Sequence, residues 1–291
     1  MRVYVTGARG YIGSALVRFL QSKQITVIVN DCDINNYNML INELLTARAD
    51  VVVHLAALST VKKCNKNVKL ALLTNGKATA NLLKAMHIAG CRNIIYASSC
   101  AVYGDSMVPV NEYSKLNPQS VYGVSKLLGE QCVFNAKYKY KINSICFRMS
   151  NVAGFNTTCT KTNDRLLPSL AKASANNSIF HIYGNGTCSR DYISLLDVCT
   201  AYYLTIVKIC SERSLDCKIF NLTYGANYTV LQVVNLWKEE LYNVKGEDLL
   251  YTMVTPRVDD VNVIKVNNNL LQVYLRWKPK HTIIDIINSY L

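Results

Sequence analysis

The sequence has no apolar run of the roughly 18 to 20 residues that a membrane-spanning helix needs, and it contains no repeats or low-complexity segments. Its eleven cysteines include no C-x-x-C pair and no Cys/His cluster with metal-ligand spacing, so we expect no metal site. Met1 leads directly into a strand pattern rather than into a secretory signal. These absences predict a soluble protein with reduced thiols in the cytoplasm and no membrane partner.

Acidic residues are scarce, since 19 Asp and Glu stand against 32 Lys and Arg, giving a formal net charge of +13. Such a balance is found in proteins that bind nucleic acids, anionic surfaces or anionic small molecules. The lysines are scattered, apart from clusters at 62–69 and 137–141, and no RNA- or DNA-binding module accompanies them. We therefore expect no nucleic-acid partner. Most of the charge is interpreted as solvated surface, with attraction of phosphorylated ligands as a secondary effect.

A glycine-rich turn near the start of the chain is its first functional signal. The stretch Arg2 to Thr6 is apolar and β-branched and predicts a strand, and an amphipathic helix is predicted from Ser14 to about Ser22. A strand, a glycine turn and a helix form the first half of a Rossmann unit, in which a pyrophosphate approaches the backbone at the helix N-terminus. The residues predicted to contact the dinucleotide are Gly7, Arg9, Gly10, Tyr11, Ile12 and Gly13.

The tip of the second predicted strand, Ile25 to Val29, bears on the choice of cofactor. An acidic residue about twenty residues beyond the glycines is where the ribose 2′-hydroxyl of NAD is held, and Asp31 fits this position. Arg9 in the glycine turn favours the other cofactor, because a guanidinium there can meet the 2′-phosphate of NADP. The prediction is NAD, with NADP as the alternative.

Strands and helices alternate up to about residue 150. The apolar run at 51–57 predicts a central strand buried on both faces, in which His54 is a packed histidine. A helix is predicted before this strand at about 37–47, and a helix at about 68–89 and a strand at 93–97 follow. The helix that carries Tyr122 and Lys126 is predicted to run to about Phe134, and another strand from Ile142 to Arg148. Ligands bind beyond the carboxyl ends of strands in such a sheet, so Ser99 is predicted to lie where cofactor and substrate meet.

Periodicity weakens after residue 150, which predicts the α/β class with a doubly wound parallel Rossmann sheet and a smaller C-terminal substrate-binding lobe. The NAD(P)-binding domain is predicted at 1–150, with returning segments near 187–222. The lobe is predicted at 151–186 and 223–291.

The stretch Tyr122-Gly-Val-Ser-Lys126 places a phenol and an ammonium group one helical turn apart. Residues i and i+4 share a helix face. Lys126 is therefore predicted to lie beneath the Tyr122 hydroxyl and to draw its pKa of about 10 downward by stabilising the phenolate. Such a pair can move a proton to and from a substrate hydroxyl, so Tyr122 and Lys126 are candidate catalytic residues.

Five motifs occur in order along the chain: Gly7-x-x-Gly10-x-x-Gly13, His54-Leu-Ala-Ala57, Ser98-Ser99 before Val102-Tyr103-Gly104, Tyr122-x-x-x-Lys126 and Arg190-Asp191-Tyr192-Ile193. Together they resemble the extended short-chain dehydrogenase/reductase family, and especially its UDP-glucose 4-epimerase branch. The resemblance implies a nucleotide-sugar 4-epimerase acting on UDP-glucose and UDP-galactose or their N-acetyl forms. It also implies a transient 4-keto intermediate and tightly bound NAD, because the hydride taken from the sugar is returned to its other face.

The resemblance assigns roles to individual residues. Tyr122 is implied to be the acid/base on the sugar O4, Lys126 to hold the nicotinamide ribose, and Ser99 to hydrogen-bond the reacting oxygen. Further cofactor contacts are implied at Leu55, Ala56, Ala57 and Asn75. Contacts with the UDP-sugar are implied at Asn151, Arg165, Leu166, Tyr183, Arg190, Arg257 and Asp260. A homodimer through the long helix before Cys91 and the Tyr122 helix is implied as well.

Departures from the family pattern keep alternatives open. Cys100 and Ala101 stand where family dehydratases carry an Asp-Glu pair, so 4,6-dehydration is not expected. The segment between Asp31 and Val51 is short for an epimerase. Together with Arg9, this trimming resembles NADPH-dependent 4-keto-6-deoxy nucleotide-sugar reductases. A non-catalytic nucleotide-binding regulator is the third hypothesis.

Overall fold

The computed structural model describes residues 1–157, 165–211, 217–255 and 263–291. The strands in these ranges are β1 (Arg2–Thr6), β2 (Thr26–Val29), β3 (Val51–His54), β4 (Asn93–Ser99), β5 (Ser106–Val110), β6 (Asn143–Met149), β7 (Asn151–Ala153), β8 (Phe180–Tyr183), β9 (Ser189–Ser194), β10 (Lys218–Leu222), β11 (Asn227–Thr229), β12 (Tyr251–Val254) and β13 (Ile264–Val266). The α-helices are α1 (Tyr11–Ser22), α2 (Tyr37–Ala47), α3 (Val61–Lys66), α4 (Val68–Leu72), α5 (Ala78–Ile88), α6 (Val121–Tyr140), α7 (Leu166–Ala175), α8 (Leu195–Ser211), α9 (Val230–Lys245), α10 (Asn269–Leu275) and α11 (Ile283–Asn288). No helix in the described ranges is long and apolar enough to cross a membrane.

A parallel sheet of six described strands forms the centre of the fold, in the order β10-β6-β4-β3-β1-β2. Successive side chains of a strand point to opposite faces. Val3 and Val53 accordingly pack with α1 and α8 on one face, whereas Tyr4 and Val52 pack with α2, α5 and α6 on the other. Helices therefore cover both faces, and the predicted doubly wound parallel sheet is confirmed.

A separate hydrophobic core joins α7, α9 and α11 around the fully buried Trp237. The paired strands β8 and β12 contribute to this region, and β7, β9 and β11 form a three-stranded sheet. Leu271 and Trp277 pack instead in the core of the parallel sheet, although both fall within the predicted lobe. The boundaries of the two predicted domains stay a prediction.

The helix predicted at 68–89 is interrupted. It consists of α4, a π-helical turn at Leu73–Lys77, and α5. A Cβ on Gly76 in this turn would lie 2.3 Å from the side chain of Leu128 on α6, and Thr79 Oγ1 donates to the Asn75 carbonyl oxygen at 2.8 Å. The π-helical turn thus occurs where Leu128 of α6 packs against Gly76. This tertiary contact has no local signal in the sequence.

Three other element ends differ from the sequence prediction. Helix α1 begins at Tyr11 rather than Ser14, so the third glycine already belongs to the helix. Strand β3 ends at His54, before the apolar run ends. Helix α6 extends to Tyr140 rather than to about Phe134.

Candidate active site

The glycine turn joins β1 to α1 and passes close to the end of β3. A Cβ on Gly7, whose φ is +69°, would lie 2.6 Å from the Ala56 nitrogen, and one on Gly13 would lie 2.1 Å from the Gly7 carbonyl oxygen. Helix α1 begins after Gly10 without a side-chain cap. The first turn of a helix presents free N–H groups to an anion, so the uncapped turn fits a pyrophosphate.

The segment after β3 borders this turn. The Ala56 N–H donates to Thr6 Oγ1 at 3.2 Å, and Leu55 and Ala57 are half-buried beside it. These three predicted cofactor residues therefore adjoin the glycine turn, which carries Arg9. The predicted positions Tyr11 and Ile12 lie in the first turn of α1.

Asn75 lies in the π-helical turn and is 1% exposed. Its side chain accepts from the Leu58 N–H at 2.8 Å and donates to the Leu58 carbonyl oxygen at 3.0 Å and to Ser125 Oγ at 2.8 Å. Asn75 thus links the loop after β3 to α6. Its side-chain amide is hydrogen-bonded to protein atoms instead of being directed freely toward the glycine turn.

Arg9 and Asp31 form an ion pair with each other. The side chains are 79% and 67% exposed. The sequence presented them as determinants of opposite cofactors, whereas the structure joins them at the same edge of the glycine turn.

Ser99 and Tyr122 are brought together from two elements. Ser99 ends β4, accepts from the Ala101 N–H at 3.2 Å, and hydrogen-bonds the Tyr122 phenol. Tyr122 lies in the first turn of α6, and a Cβ on the next residue, Gly123, would lie 2.5 Å from the Ala101 carbonyl oxygen. The close approach that this glycine permits places the phenol against the serine.

Lys126 lies one turn further along α6 and is 4% exposed. Its Nζ donates to the Ala97 carbonyl oxygen at 2.7 Å and lies 5.2 Å from the centre of the Tyr96 ring. Burial lowers the pKa of the Lys126 amine to about 8, although Cys64 and Glu130 act in the opposite direction. The amine is therefore a buried cation at neutral pH, next to the strand end that carries Ser99.

The pKa of Tyr122 does not shift in the direction predicted from the sequence. Burial raises the pKa of the phenol above its ordinary value, while the hydrogen bond with Ser99 and the charge of Arg165 lower it by less. The prediction of a net downward shift caused by Lys126 was wrong, because the desolvation of the phenolate outweighs the stabilising groups.

Three of the predicted substrate residues lie around β7 and α7, and the charge of one of them, Arg165, acts on Tyr122. Arg165 immediately precedes α7, donates from Nη1 to the Val152 carbonyl oxygen at 3.3 Å, and stands 5.6 Å from the centre of the Tyr11 ring. Leu166 opens α7. Asn151 opens β7, and its Nδ2 donates to the Asp191 carbonyl oxygen at 3.2 Å.

The remaining predicted substrate residues lie on other elements. Tyr183 ends β8 and is 45% exposed, and Arg190 lies on β9, where Nη1 donates to the Ser189 carbonyl oxygen at 2.9 Å. Arg257 and Asp260 lie outside the described residues.

A buried charge pair beside the site was missed from the sequence. Arg148 Nη2 donates to Glu130 Oε2 at 2.8 Å, and the two side chains are 2% and 4% exposed. Two signals could have revealed it: an arginine within the apolar strand from Ile142, and a glutamate one helical turn beyond Lys126. A charge in an apolar strand needs a buried partner.

A comparison of the chain with known families agrees with this arrangement. The NAD dependent epimerase/dehydratase family matches residues 3–223. This chain belongs to that family. The sequence predicted this family, a Rossmann-type sheet, and NAD, which is the cofactor named in the family's description. All three predictions are confirmed.

Individual members of the family align along most of the chain. The UDP-glucose 4-epimerase of Lactobacillus helveticus is 28% identical over 316 residues, covering 98% of this chain and 94% of that protein. The UDP-glucose 4-epimerase of Mycoplasma genitalium is 29% identical over 284 residues, covering 83% and 82%.

Two solved structures superpose closely on this fold. MoeE5 in complex with UDP-glucose and NAD has a TM-score of 0.88 at 26% identity, covering 100% of this chain and 97% of that one. The UDP-glucose 4-epimerase of Stenotrophomonas maltophila, with bound NAD and formylated UDP-arabinopyranose, has a TM-score of 0.90 at 24% identity, covering 100% and 96%. The second likeness is one of fold.

Proposed function

We propose that this family member is a nucleotide-sugar 4-epimerase with tightly bound NAD. It would interconvert UDP-glucose and UDP-galactose, or their N-acetyl forms, through a transient 4-keto sugar. The observation that carries the proposal is the hydrogen bond between Ser99, at the end of β4, and Tyr122, on α6. The buried Lys126 lies one helical turn further along α6. The relatives named UDP-glucose 4-epimerase support the choice of reaction.

The chain's own groups would manage the proton and the nucleotide. The Tyr122 phenolate takes the proton from O4 and later returns it, while Ser99 holds the reacting oxygen. The charge of Arg165 lowers the pKa of the buried phenol, and Lys126, one helical turn further along α6, would contribute a second cation. The glycine turn and the segment after β3 would hold NAD, and the chemistry supplied there would be reversible hydride transfer at the sugar carbon, with return to the other face of the ring.

Dehydration is disfavoured by the groups beside Ser99. Cys100 is buried, its Sγ donates to the Arg148 carbonyl oxygen at 3.3 Å, and burial raises the pKa of the thiol well above its ordinary value. Neither this thiol nor the methyl group of Ala101 can act as the acid pair of a dehydratase. The 4-keto sugar would therefore be reduced again rather than lose water.

The assay that tests the proposal uses purified protein without added reductant. UDP-glucose should be converted to UDP-galactose until equilibrium, and mass spectrometry of the released cofactor should identify NAD. Turnover only with NADPH and a 4-keto sugar would replace the epimerase by the reductase hypothesis. Binding of NAD and UDP-sugar with no turnover of any kind would leave the non-catalytic regulator.

The ion pair between Arg9 and Asp31 bears on the preference for NAD over NADP. The Asp31 carboxylate that holds Arg9 would repel a 2′-phosphate and accept a ribose hydroxyl. An NADP complex would require Arg9 to leave Asp31 for the phosphate. The ion pair between Arg9 and Asp31 therefore favours NAD.

The proposed oligomer is a homodimer through the helices at 68–88 and α6. These helices enclose a shallow apolar groove of about 360 Å³ that includes Leu72, Leu73 and Leu128, with Lys69 and Lys77 at its edges. Leu128 is 37% exposed. An apolar groove between two exposed helices is a surface that a second copy can cover.

The proposed location is the cytoplasm, and the proposed small-molecule partner is a UDP-sugar. Every cysteine in the described ranges is a free thiol, which fits a reducing compartment. The proposed division into a Rossmann domain and a nucleotide-sugar lobe has its support in the separate core around Trp237.

A further inference from the structure

Consecutive residues at the end of β4 bond to the catalytic helix α6. The Ala97 carbonyl oxygen accepts from Lys126 Nζ at 2.7 Å, and the Ser99 hydroxyl bonds to the Tyr122 phenol. The residue between them in β4 bonds to Glu130. Three neighbouring contacts thus fix the helix against the strand, and Glu130 makes the one that has no part in the proposed proton transfer.

Donors surround the carboxylate of Glu130. Its Oε1 accepts from Ser98 Oγ and from Arg148 Nε at 3.0 Å, and its Oε2 accepts from Arg148 Nη2 at 2.8 Å. Arg148 lies opposite Ser98 in the adjacent strand β6, and its Nη1 donates to the Tyr103 hydroxyl at 3.1 Å. Burial alone would lower the pKa of Arg148, but the hydrogen bonds with Glu130 raise it above its ordinary value.

Stability alone does not account for a charge pair at this place. Apolar side chains of similar size often stabilise a core as well as a buried ion pair does. A two-point contact between a planar guanidinium and a carboxylate, however, restricts the relative rotation of the elements that carry it. This restriction acts on α6 two turns from Tyr122 and one turn from Lys126.

We propose that Glu130 and Arg148 are a positioning pair, which fixes the rotation of α6 so that Tyr122 meets Ser99 at the reacting oxygen. The pair also has an electrostatic effect, because Glu130 is the carboxylate next to Lys126 on the same helix. The kinetic part of this inference rests on the proposed epimerase function.

Several groups face the Lys126 amine from the elements packed around it. Glu130 lies on its own helix, Cys64 on α3, His54 on β3 and Tyr96 on β4. Glu130 and Cys64 raise the pKa of Lys126, against the larger effect of burial. Loss of the Glu130 charge therefore lowers the pKa of Lys126, and the amine loses its proton at a lower pH.

Two variants of the NAD-loaded protein test the positioning role. Glu130→Gln keeps the size of the side chain and removes its charge, and the double variant Glu130→Leu/Arg148→Met replaces the pair by apolar groups. We expect kcat to fall roughly ten- to a hundredfold in both, with KM for the UDP-sugar changed by less than about threefold, since small misplacements of reacting groups have effects of this size.

Leu44→Ala in α2 serves as the matched control. Leu44 is 1% exposed in the core that α2, α5 and α6 share on one face of the sheet. This variant lowers stability while leaving the contacts between α6 and β4 intact. Its kcat should stay within about twofold of the wild-type value. If Glu130→Gln fails to fold, the double variant decides.

A readout that does not depend on turnover separates this inference from the proposed function. The titration of Lys126 is followed by the NMR shift of its Cε in ¹³C-lysine-labelled protein, assigned with Lys126→Met. Glu130→Gln should move the midpoint to lower pH. A wild-type kcat in either folded variant would overturn the positioning role, and an unchanged midpoint in Glu130→Gln would overturn the electrostatic effect on Lys126. A wild-type protein without epimerase activity would overturn only the proposed function.

Discussion

Opposing influences act on the hydroxyl of Tyr122, and they set its expected chemistry. Burial raises the pKa of the phenol, and the Ser99 hydrogen bond and the Arg165 charge lower it. A phenol with a raised pKa is a strong base once its phenolate is formed next to cations. The site therefore suits the removal of a proton from a sugar hydroxyl, whose own pKa is far higher than that of a phenol.

Removal of the Tyr122 hydroxyl tests the assigned role directly. We expect Tyr122→Phe to reduce kcat by about 10² to 10⁴, the usual contribution of a general acid/base, while bound NAD and the melting temperature stay close to those of the wild type. The measurement is a coupled assay of UDP-galactose formation together with cofactor analysis. A variant that retains more than a tenth of the wild-type rate would remove Tyr122 from the mechanism.

The buried Lys126 amine predicts the shape of the pH profile. With a pKa of about 8, the amine is charged below pH 8 and neutral above it. Rising pH produces more Tyr122 phenolate until the loss of the Lys126 charge offsets that gain. We expect kcat to increase up to about pH 8 and then to level off.

Lys126→Arg is the matched control for this profile, because a guanidinium keeps its charge throughout the range. The levelling near pH 8 should disappear in this variant even if the overall rate is lower. A profile between pH 6 and 10 with the same inflection in both proteins would assign the inflection to another group.

At the scale of the secondary-structure element, the packing of α6 against β4 requires a glycine at position 129. A Cβ on Gly129 would lie 2.0 Å from the Tyr96 hydroxyl oxygen and 2.9 Å from the Asn75 carbonyl oxygen. Alanine usually stabilises a helix by about 1 kcal/mol relative to glycine. Here we expect Gly129→Ala to destabilise the protein by about 1 to 3 kcal/mol, because the added methyl group overpacks the core.

Asn135→Ala, at an exposed position of the same helix, is the control. It should change the free energy of unfolding by no more than about 0.5 kcal/mol. Urea denaturation of both variants provides the measurement. Equal stability of Gly129→Ala and the wild type would contradict the close packing of α6 on Tyr96.

The order of strands and helices was predictable because hydrophobic period and glycine placement are local properties of the sequence. The existence of strand β3 and of the helix at 37–47 required nothing beyond their own residues, although β3 is shorter than the apolar run at 51–57. The π-helical turn at Leu73–Lys77 was not predictable in this way, since it occurs where Leu128 of another helix approaches. Interruption of a helix by a tertiary contact leaves no trace in its periodicity.

The candidate site was also predictable only in part. Ser99, Tyr122 and the glycine turn follow from motif spacing. The direction of the Tyr122 pKa shift did not, because the extent of burial is a property of the folded chain. The pairing of Arg9 with Asp31 likewise depends on two segments that meet only in the fold.

At the scale of the whole molecule, the proposed dimer can be tested by charging its groove. We expect Leu128→Glu to shift the protein from dimer to monomer, because the groove between the helices at 68–88 and α6 is apolar and a buried carboxylate would lack a partner there. Light scattering coupled to size exclusion measures the mass. Leu250→Glu, at a 59% exposed residue just before β12, should leave the mass unchanged.

Helix α6 presents Lys126 and Glu130 to the sheet on one side and Leu128 to the apolar groove on the other. A second copy seated in that groove would brace the same helix that carries the acid/base. Specific activity should then depend on enzyme concentration, falling on dilution as protomers separate and recovering when the sample is concentrated again.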